Sequence, residues 1–279
     1  MAVANTVTQF QQTIWSKSIQ RSLKKITSLR SHCNFQYEKD SANAREVKIL
    51  SVNRPTVHKY VSGTPLVRES VEDASKTLKL DQMFYTNFEV EDYVKVQSVP
   101  GLLEATADEA AEGLRIEGDK YVAEIVKTAA DGGEIAVSSS EITLTKSNAV
   151  ESVEAGFAAL YAKDVPVSAT YYLELAPAVF TLYRQALTEL STNNPEILKK
   201  GAVGKINGAY VCIENCLPVS STAYYNILRT DKAVAFAEQI HKVEKYRPQD
   251  AFTDAIKVLY VFGAEIVRPD EIYVMKTKK

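Results

Sequence analysis

Residues 98–130 read SVPGLLEATADEAAEGLRIEGDKYVAEIVKTAA, the longest helical pattern in the 279-residue chain. Apolar residues recur in it at intervals of three, four or seven, which places them on one stripe of a helix. These residues are Leu103, Ala107, Ala110, Leu114, Tyr121, Ile125 and Ala129. The pattern predicts one helix roughly 45 Å long. Its apolar stripe needs a surface to lie on, so we interpret the other segments as packing around it.

The ends of this helix are marked by residues with known preferences. Ser98 can cap the first turn, and Pro100 lies where a missing N–H costs little. The pair Gly132 and Gly133 predicts the end. Gly113 and Gly118 destabilise a helix interior by about 1 kcal/mol each relative to alanine, so we expect a bend or the close approach of another backbone there.

The face opposite the stripe is acidic. It carries Glu104, Asp108, Glu109, Glu112, Glu117, Asp119 and Glu124 against Arg115, Lys120 and Lys127. Glu104, Asp108 and Glu112 follow one another at successive turns and could gather a metal ion. No histidine or second carboxylate helix completes such a site, so we predict a solvated or interface surface without a metal.

Composition excludes several classes of protein. A net charge of -2 argues against a protein that grips nucleic acid over its whole surface. No apolar run reaches membrane-spanning length and no signal peptide opens the sequence, so we expect a soluble, intracellular protein with no membrane partner. Cys33, Cys212 and Cys216 offer no disulfide framework, and we expect reduced structural residues.

Residues 1–37 form a basic stretch without a single Asp or Glu. Its cations are Lys17, Arg21, Lys24, Lys25 and Arg30, interleaved with Ile19, Leu23, Ile26 and Leu29 at helical spacing. The pattern indicates a basic amphipathic arm. An organelle transit peptide and a contact with phosphates in an enclosed space are alternatives. Charge complementarity favours the acidic surface of a neighbouring subunit, such as the helix above.

Residues 46–96 change to the period of strands. EVKILSV, RPTVHKYV, TLKL and MFYTNFEV flank a polar tip, GTPLVRESVEDASK, and predict a long antiparallel hairpin. A two-stranded ribbon is marginally stable in water, so we expect another subunit to cover it. His58 is interpreted as an exposed strand residue. The candidate intersubunit ion pairs, which could also be merely solvated, involve Arg54, Arg68, Glu69, Glu72 and Asp73.

The remaining chain mixes short helices and strands. Asn148 with Glu151 predicts a capping box, and Pro177 opens a helix after the strand TYYLELAP. GAVGKINGAYVCIENCLP combines turn glycines with a short strand and matches no dinucleotide or phosphate-binding motif. AVAFAEQ and VLYVFGAEIVRP are typical of buried strands, with Pro269 ending the last.

No motif predicts catalysis. The sequence contains no GxSxG, HExxH or CxxC, and its three histidines, His32, His58 and His241, are scattered. Ser220 and Ser221 with His241 lack the nucleophile turn and oxyanion donors of a hydrolase. We therefore predict neither catalytic residues nor a cofactor.

The order of the segments is more informative than any one of them. The chain resembles tailed-bacteriophage major capsid proteins with the Hong Kong 97 fold. The stretches that carry the resemblance are IWSKSIQRSL, VNRPTVHKYVSGTPL, LKLDQMFYTNFEVEDYVKVQS, GKINGAYVCIENCLP, AVAFAEQIHKVEKYRP and GAEIVRPDEIYVM. The implied fold is α+β. The implied parts are an N-terminal arm (1–45), an extended loop (46–96), a peripheral domain with a spine helix (97–164), an axial domain (165–245) and a return to the peripheral domain (246–279).

This resemblance implies a structural protein that self-assembles through pentamers and hexamers into an icosahedral head. The head would enclose double-stranded DNA, bound without sequence preference on the inner face. The short arm implies a separate scaffolding protein, together with a portal, and the location would be the virion, assembled in the host cytoplasm. Two alternatives are the shell of an encapsulin-type nanocompartment and a soluble α/β enzyme.

Overall fold

The structure is a computed structural model of the chain. It describes residues 27–41, 44–52, 56–60, 62, 63, 65, 68, 73–91, 102–189, 204–220, 222–250 and 252–278. Several predicted features lie outside these residues: Lys17, Arg21, Lys24, Lys25, Arg54, Glu69, Glu72, Ser98, Pro100 and Ser221. The side chains of Asp73, Glu104 and His241 lie outside the description as well.

The helices include the predicted long one. Among the described residues they are α1 (Glu38–Ser41), α2 (Leu102–Gly132), α3 (Ala149–Tyr161) and α4 (Pro177–Glu189), with 3-10 turns at Arg30–His32 and Pro269–Glu271. Helix α2 has 31 residues and ends where Gly133 adopts a φ of 76°. Pro177 is the first residue of α4, as predicted. None of the helices in the described ranges is both long and apolar enough to cross a membrane.

The buried face of α2 differs in part from the predicted stripe. Leu114 and Ala129 are buried as expected, but Tyr121 and Ile125 lie at the edge of the core, and Val122 and Val126 fill its centre. A Cβ on Gly118 would first meet side-chain atoms, the nearest being the Tyr260 hydroxyl at 3.5 Å, and one on Gly113 would meet no atom of the described residues within 4 Å. Among the described residues, no backbone makes the predicted close approach at either glycine.

The strands form three sheets. They are β1 (Glu46–Val52), β2 (Asp73–Lys79), β3 (Gln82–Glu91), β4 (Ala136–Val137), β5 (Tyr171–Leu175), β6 (Lys205–Ile206), β7 (Ala209–Ile213), β8 (Ala223–Thr230), β9 (Val234–Tyr246), β10 (Thr253–Ile266) and β11 (Ile272–Lys278). Their orders are β1-β2, β3-β10-β9 and β4-β11-β8-β5-β7-β6. The 3-10 turn at Pro269–Glu271 leads directly into β11, a strand that the sequence pattern did not predict.

Strand partners cross the predicted domain borders. Strand β11 pairs with β8, whereas β10, also in the predicted return segment, pairs with β9 and β3. Helix α2 contacts both β3 and β10. The two larger sheets and the long helix therefore share one continuous core, and the division into peripheral and axial domains stays a prediction.

Two predictions from the sequence are wrong about interaction partners. Strand β3 does not extend the hairpin; it pairs with β10, because Phe84 then stacks on the buried Phe262 with ring centroids 5.6 Å apart. The capping box at Asn148 does not form, because the Asn148 side chain accepts the N–H of Thr145 and donates to the carbonyl of Thr143 instead.

The predicted hairpin consists of β1 and β2, antiparallel from Glu46 opposite Lys79 to Val52 opposite Asp73. Its base packs on its own chain: Ile49, Leu78 and Leu80 form a small core with Ala235, Ala237 and Val261. The expectation that another subunit covers the whole hairpin is therefore wrong for the base. Towards the tip Val57 is 93% exposed and Tyr60 is 68% exposed.

The hairpin crosses β10 at Gly263. A Cβ built there would lie 1.9 Å from the carbonyl oxygen of Lys79. Neither backbone can yield without breaking sheet hydrogen bonds, so a side chain of any size is excluded.

We expect Gly263→Ala to lower the free energy of unfolding by roughly 3 kcal/mol, since overpacking against backbone cannot relax by a rotamer change. Urea unfolding of the unassembled chain measures it. The matched control is Gly113→Ala in helix α2, which should raise the stability by about 0.5–1 kcal/mol because the new methyl group meets open space. Equal stability of Gly263→Ala and the wild type would contradict the crossing.

Candidate functional site

Charged side chains converge where the chain enters its folded body. We call residues 27–34 the arm root. Backbone groups of this segment bind charged side chains: the Ser28 N–H donates to both oxygens of Glu214 at 3.0 and 2.9 Å, the Arg30 N–H donates to Asp119 at 2.7 Å, and the Leu29 carbonyl accepts from Arg229 at 2.6 Å. These contacts fix the position from which the preceding residues depart.

Arg229 and Glu174 form the centre of this junction. They lie on the neighbouring strands β8 and β5, and both side chains are 0% exposed. Arg229 donates to Glu174 through Nε and Nη2, the latter at 2.8 Å, and its Nη1 lies 3.2 Å from the sulfur of Cys33. Burial by itself would raise the pKa of Glu174, but Arg229 and His32 outweigh it and lower the pKa below its usual range.

His32 adds a second cation to Glu174. Its Nδ1 lies 3.0 Å from Glu174, its Nε2 lies 3.8 Å from the sulfur of Cys212, and its ring stacks on Tyr172 with centroids 4.0 Å apart. Burial lowers the pKa of His32, but the hydrogen bonds and electrostatic attraction of Cys212 and Glu174 have the larger combined effect and raise it from 6.5 to about 9. The imidazole is therefore protonated at neutral pH, when Nδ1 donates to the carboxylate.

Glu214 holds the arm root at its other end. Burial is the main cause that raises the pKa of this carboxyl from 4.5 to about 7, while the hydrogen bonds from Ser28 act in the opposite direction. The Ser28 hydroxyl also donates to Glu214. At neutral pH the group is therefore partly protonated.

Helix α2 and the three-stranded sheet complete the junction. Arg30 donates to Glu238 of β9 at 2.6 Å and to the Tyr260 hydroxyl of β10 at 2.9 Å. Arg115 of α2 donates to the Thr27 carbonyl at 3.0 Å and to the buried Asp119 at 3.1 Å. The arm root is thereby attached to the long helix and to both larger sheets.

The predicted interface residues have separate locations. Glu112 pairs with Arg115 of its own helix at 2.8 Å, and Asp108 and Arg68 are exposed. Within the described part of the chain, no group of His, Cys, Asp and Glu side chains is arranged to hold a metal ion. Ser220 serves a turn, where its hydroxyl oxygen accepts the Ala223 N–H at 3.0 Å.

Exposed apolar side chains define two further surfaces. One is the hairpin tip with Val57 and Tyr60. The other is the outer face of the three-stranded sheet, where Tyr85, 75% exposed, lies opposite the exposed Leu259, with Met83 beside them. Adjacent exposed aromatic and aliphatic residues of this kind mark interaction surfaces.

The junction predicts a stability that falls with rising pH. Because the folded-state pKa of His32 is raised from 6.5 to about 9, its contribution is complete below pH 6.5 and is lost as the pH rises through 9. The pKa of Glu214 is raised from 4.5 to about 7, so this carboxyl adds a further loss of stability as the pH rises from 4.5 to 7. Denaturation of the unassembled chain should show a loss of up to about 3 kcal/mol between pH 6.5 and 9 that His32→Gln removes. His58→Gln is the control; a flat profile in the wild type would contradict the assignment.

The buried pair predicts a strong coupling. Glu174→Leu leaves Arg229 buried without its carboxylate, so we expect a loss of about 3–5 kcal/mol, and Arg229→Leu should have a similar effect. The double variant should lose less than the sum of the two, by on the order of 2 kcal/mol, because no unpaired charge remains. Urea unfolding of the four chains measures this cycle, and strictly additive losses would contradict it.

Comparison with known proteins identifies the fold. Neither the family models nor the curated proteins match this sequence. A solved chain from Mycobacterium phage Che8 is 24% identical, covers 96% of this chain and 97% of its own length, and superposes with a TM-score of 0.84. The capsid structure of cyanophage P-SCSP1u is 12% identical, with coverages of 97% and 93% and a TM-score of 0.76.

A third structure, the mature capsid of bacteriophage PhiM1, is 16% identical, covers 99% of this chain and 94% of its own, and has a TM-score of 0.73. The α+β class predicted from the sequence is confirmed. The likeness extends over nearly the whole of each chain, so this protein has the phage capsid fold that the resemblance implied.

Proposed function

We propose that this chain is a major capsid protein, many copies of which self-assemble into the icosahedral head of a bacteriophage. The observation that carries the proposal is the superposition on capsid chains over 97–99% of this chain and 93–94% of theirs. A whole-chain likeness favours a shared role more than a likeness limited to one domain, because shell-forming surfaces are distributed over the molecule.

The exposed surfaces support a protein that is completed by copies of itself. The hairpin has a packed base and an exposed tip, with Val57 and Tyr60 presented to solvent. The sheet face around Tyr85 and Leu259 is similarly uncovered. Repeated contacts of modest area between identical chains close into a shell when the subunits meet at slightly different angles.

Electrostatic contacts between subunits belong to the same proposal. The cations Lys17, Arg21, Lys24 and Lys25 would meet the acidic face of α2 in a neighbouring copy, at Glu104, Asp108 and Glu112. The hairpin residues Arg54, Arg68, Glu69, Glu72 and Asp73 would form ion pairs with a neighbouring subunit. Such pairs guide register and orientation more than they add affinity.

The role is structural rather than catalytic. The shell would form through pentamers and hexamers in the host cytoplasm and enclose double-stranded DNA, which contacts the inner face without sequence preference. A separate scaffolding protein and a portal would direct assembly, and the finished protein would be a component of the virion. No cofactor takes part.

Electron microscopy of the purified full-length chain, alone and co-expressed with the proteins encoded beside it, tests this function. We expect closed shells of uniform curvature, and nuclease-protected double-stranded DNA in particles from infected cells. A protein cargo without nucleic acid would instead indicate a nanocompartment. A chain that stays monomeric at every concentration and with every encoded neighbour would refute the proposal.

The hairpin tip provides a specific prediction. We expect Val57→Ser combined with Tyr60→Ser to reduce the yield of closed shells at least about tenfold, since exposed anchors contribute to association but little to the monomer. The unfolding free energy should change by less than about 0.5 kcal/mol. Val167→Ser is the matched control, because Val167 is also 74% exposed but lies in the loop before β5. Equal shell yields for both variants would contradict a role of the tip.

A further inference from the structure

Cys212 differs from the other two cysteines in its surroundings. Cys33 and Cys216 are buried, whereas Cys212 is half-buried on strand β7 at the surface of the six-stranded sheet. None of the three forms a disulfide bond. Any chemistry that needs an accessible thiol is therefore confined to Cys212.

A histidine contacts this thiol, and a carboxylate contacts the other side of the histidine ring. The sulfur of Cys212 lies 3.8 Å from Nε2 of His32, and Nδ1 of the same ring lies 3.0 Å from Glu174. Glu174 is itself immobilised by Arg229. The order nucleophile, imidazole and orienting carboxylate is the arrangement that activates cysteines, because a protonated imidazole stabilises the thiolate beside it.

Strand register, rather than chance proximity, produces this line. Glu174 on β5 and Cys212 on β7 are direct partners in the parallel ladder, and Arg229 on β8 lies on the other side of β5. His32 is held above them by the arm root and by its stacking on Tyr172. The imidazole therefore has one fixed orientation towards the sulfur.

An exposed aromatic residue lies near the thiol on the same strand. Tyr210 is two residues before Cys212 and so projects from the same face of β7. Tyr210 is 41% exposed, its ring stacks on that of Tyr172 with centroids 5.7 Å apart, and the ammonium group of Lys205 lies 4.1 Å from its centroid. A planar or anionic reagent would find both a stacking surface and a cation beside the sulfur.

We propose that Cys212 is a reactive thiol that undergoes exchange with small disulfides, with His32 as the group that holds and delivers the proton. The Cys212 thiol releases its proton to water, and the resulting thiolate sulfur, beside the protonated His32, attacks one sulfur of the disulfide and forms a new S–S bond, while the bond between the two reagent sulfurs breaks. The leaving sulfur takes the proton from Nε2 of His32 and departs as a thiol. Cys212 is oxidised and the leaving sulfur is reduced, so no other oxidant is needed. This site does not depend on the proposed role in a shell.

Labelling of the full-length chain with the aromatic disulfide dithiodipyridine tests the proposal, since the released pyridinethione is measured by absorbance and peptide mass spectrometry locates the modified residue. We expect one fast equivalent at Cys212, about tenfold faster than Cys212 in the urea-unfolded chain despite its partial burial. Cys33 and Cys216 should remain unmodified until the chain unfolds. A protected Cys212, or one no faster than in urea, would overturn the proposal.

His32→Gln separates activation from mere exposure. The variant should slow the labelling of Cys212 about tenfold while Cys33, its immediate chain neighbour, stays protected. His58→Gln should leave the rate unchanged. If His32→Gln instead exposes Cys33, the fold has loosened, and the comparison of folded and unfolded wild type decides. An unchanged Cys212 rate in a folded His32→Gln chain would refute the role of the imidazole.

Discussion

The buried ion pair between Arg229 and Glu174 is the constraint on which the rest of the structure depends. Two full charges inside a sheet are tolerated only when their remaining donors and acceptors are also bonded. Their additional partners, the Leu29 carbonyl, His32 and Cys33, all belong to the arm root. The six-stranded sheet and the arm root must therefore form together, because the buried charges of the sheet lack these partners when the arm root is not in place.

The arm root extends this dependence to the remaining elements. Through Asp119 and Arg115 it fixes one side of helix α2, and through Glu238 and Tyr260 it reaches the three-stranded sheet. A segment of only eight residues thus joins the long helix to both larger sheets. The exposed hairpin tip and the exposed sheet face then project from a body whose internal geometry is fixed, which suits the proposed assembly from identical copies.

Local patterns in the sequence predicted the elements better than their partners. Helix α2 followed from its apolar period and Gly133, and β9 and β10 followed from apolar runs, because these signals act within a few residues. The period of two in residues 82–91 indicated a strand but carried no information on which strand lies beside it, so β3 was assigned to the wrong sheet. Asn148 is of a residue type that often caps helices, yet its side chain binds the backbone of Thr143 and Thr145 instead.

The junction escaped prediction for a different reason. Its hydrogen-bonded partners are up to 230 residues apart in the chain, as Arg30 and Tyr260 are, and no periodic pattern links such positions. One local signal was present: Glu174 and Arg229 are charged residues inside the apolar strands YYLEL and AYYNILRT. Buried charges in strands require partners, so each could have been singled out, although the identity of the partner could not.

Gly263 has a consequence of its own for mechanics. The hairpin lies backbone to backbone on β10 at Lys79, and its Ile49 and Leu78 pack with Val261 of that strand, so hairpin and strand are held together. A load applied at the tip is therefore transmitted as torque to the sheet beneath, and the two move as one lever.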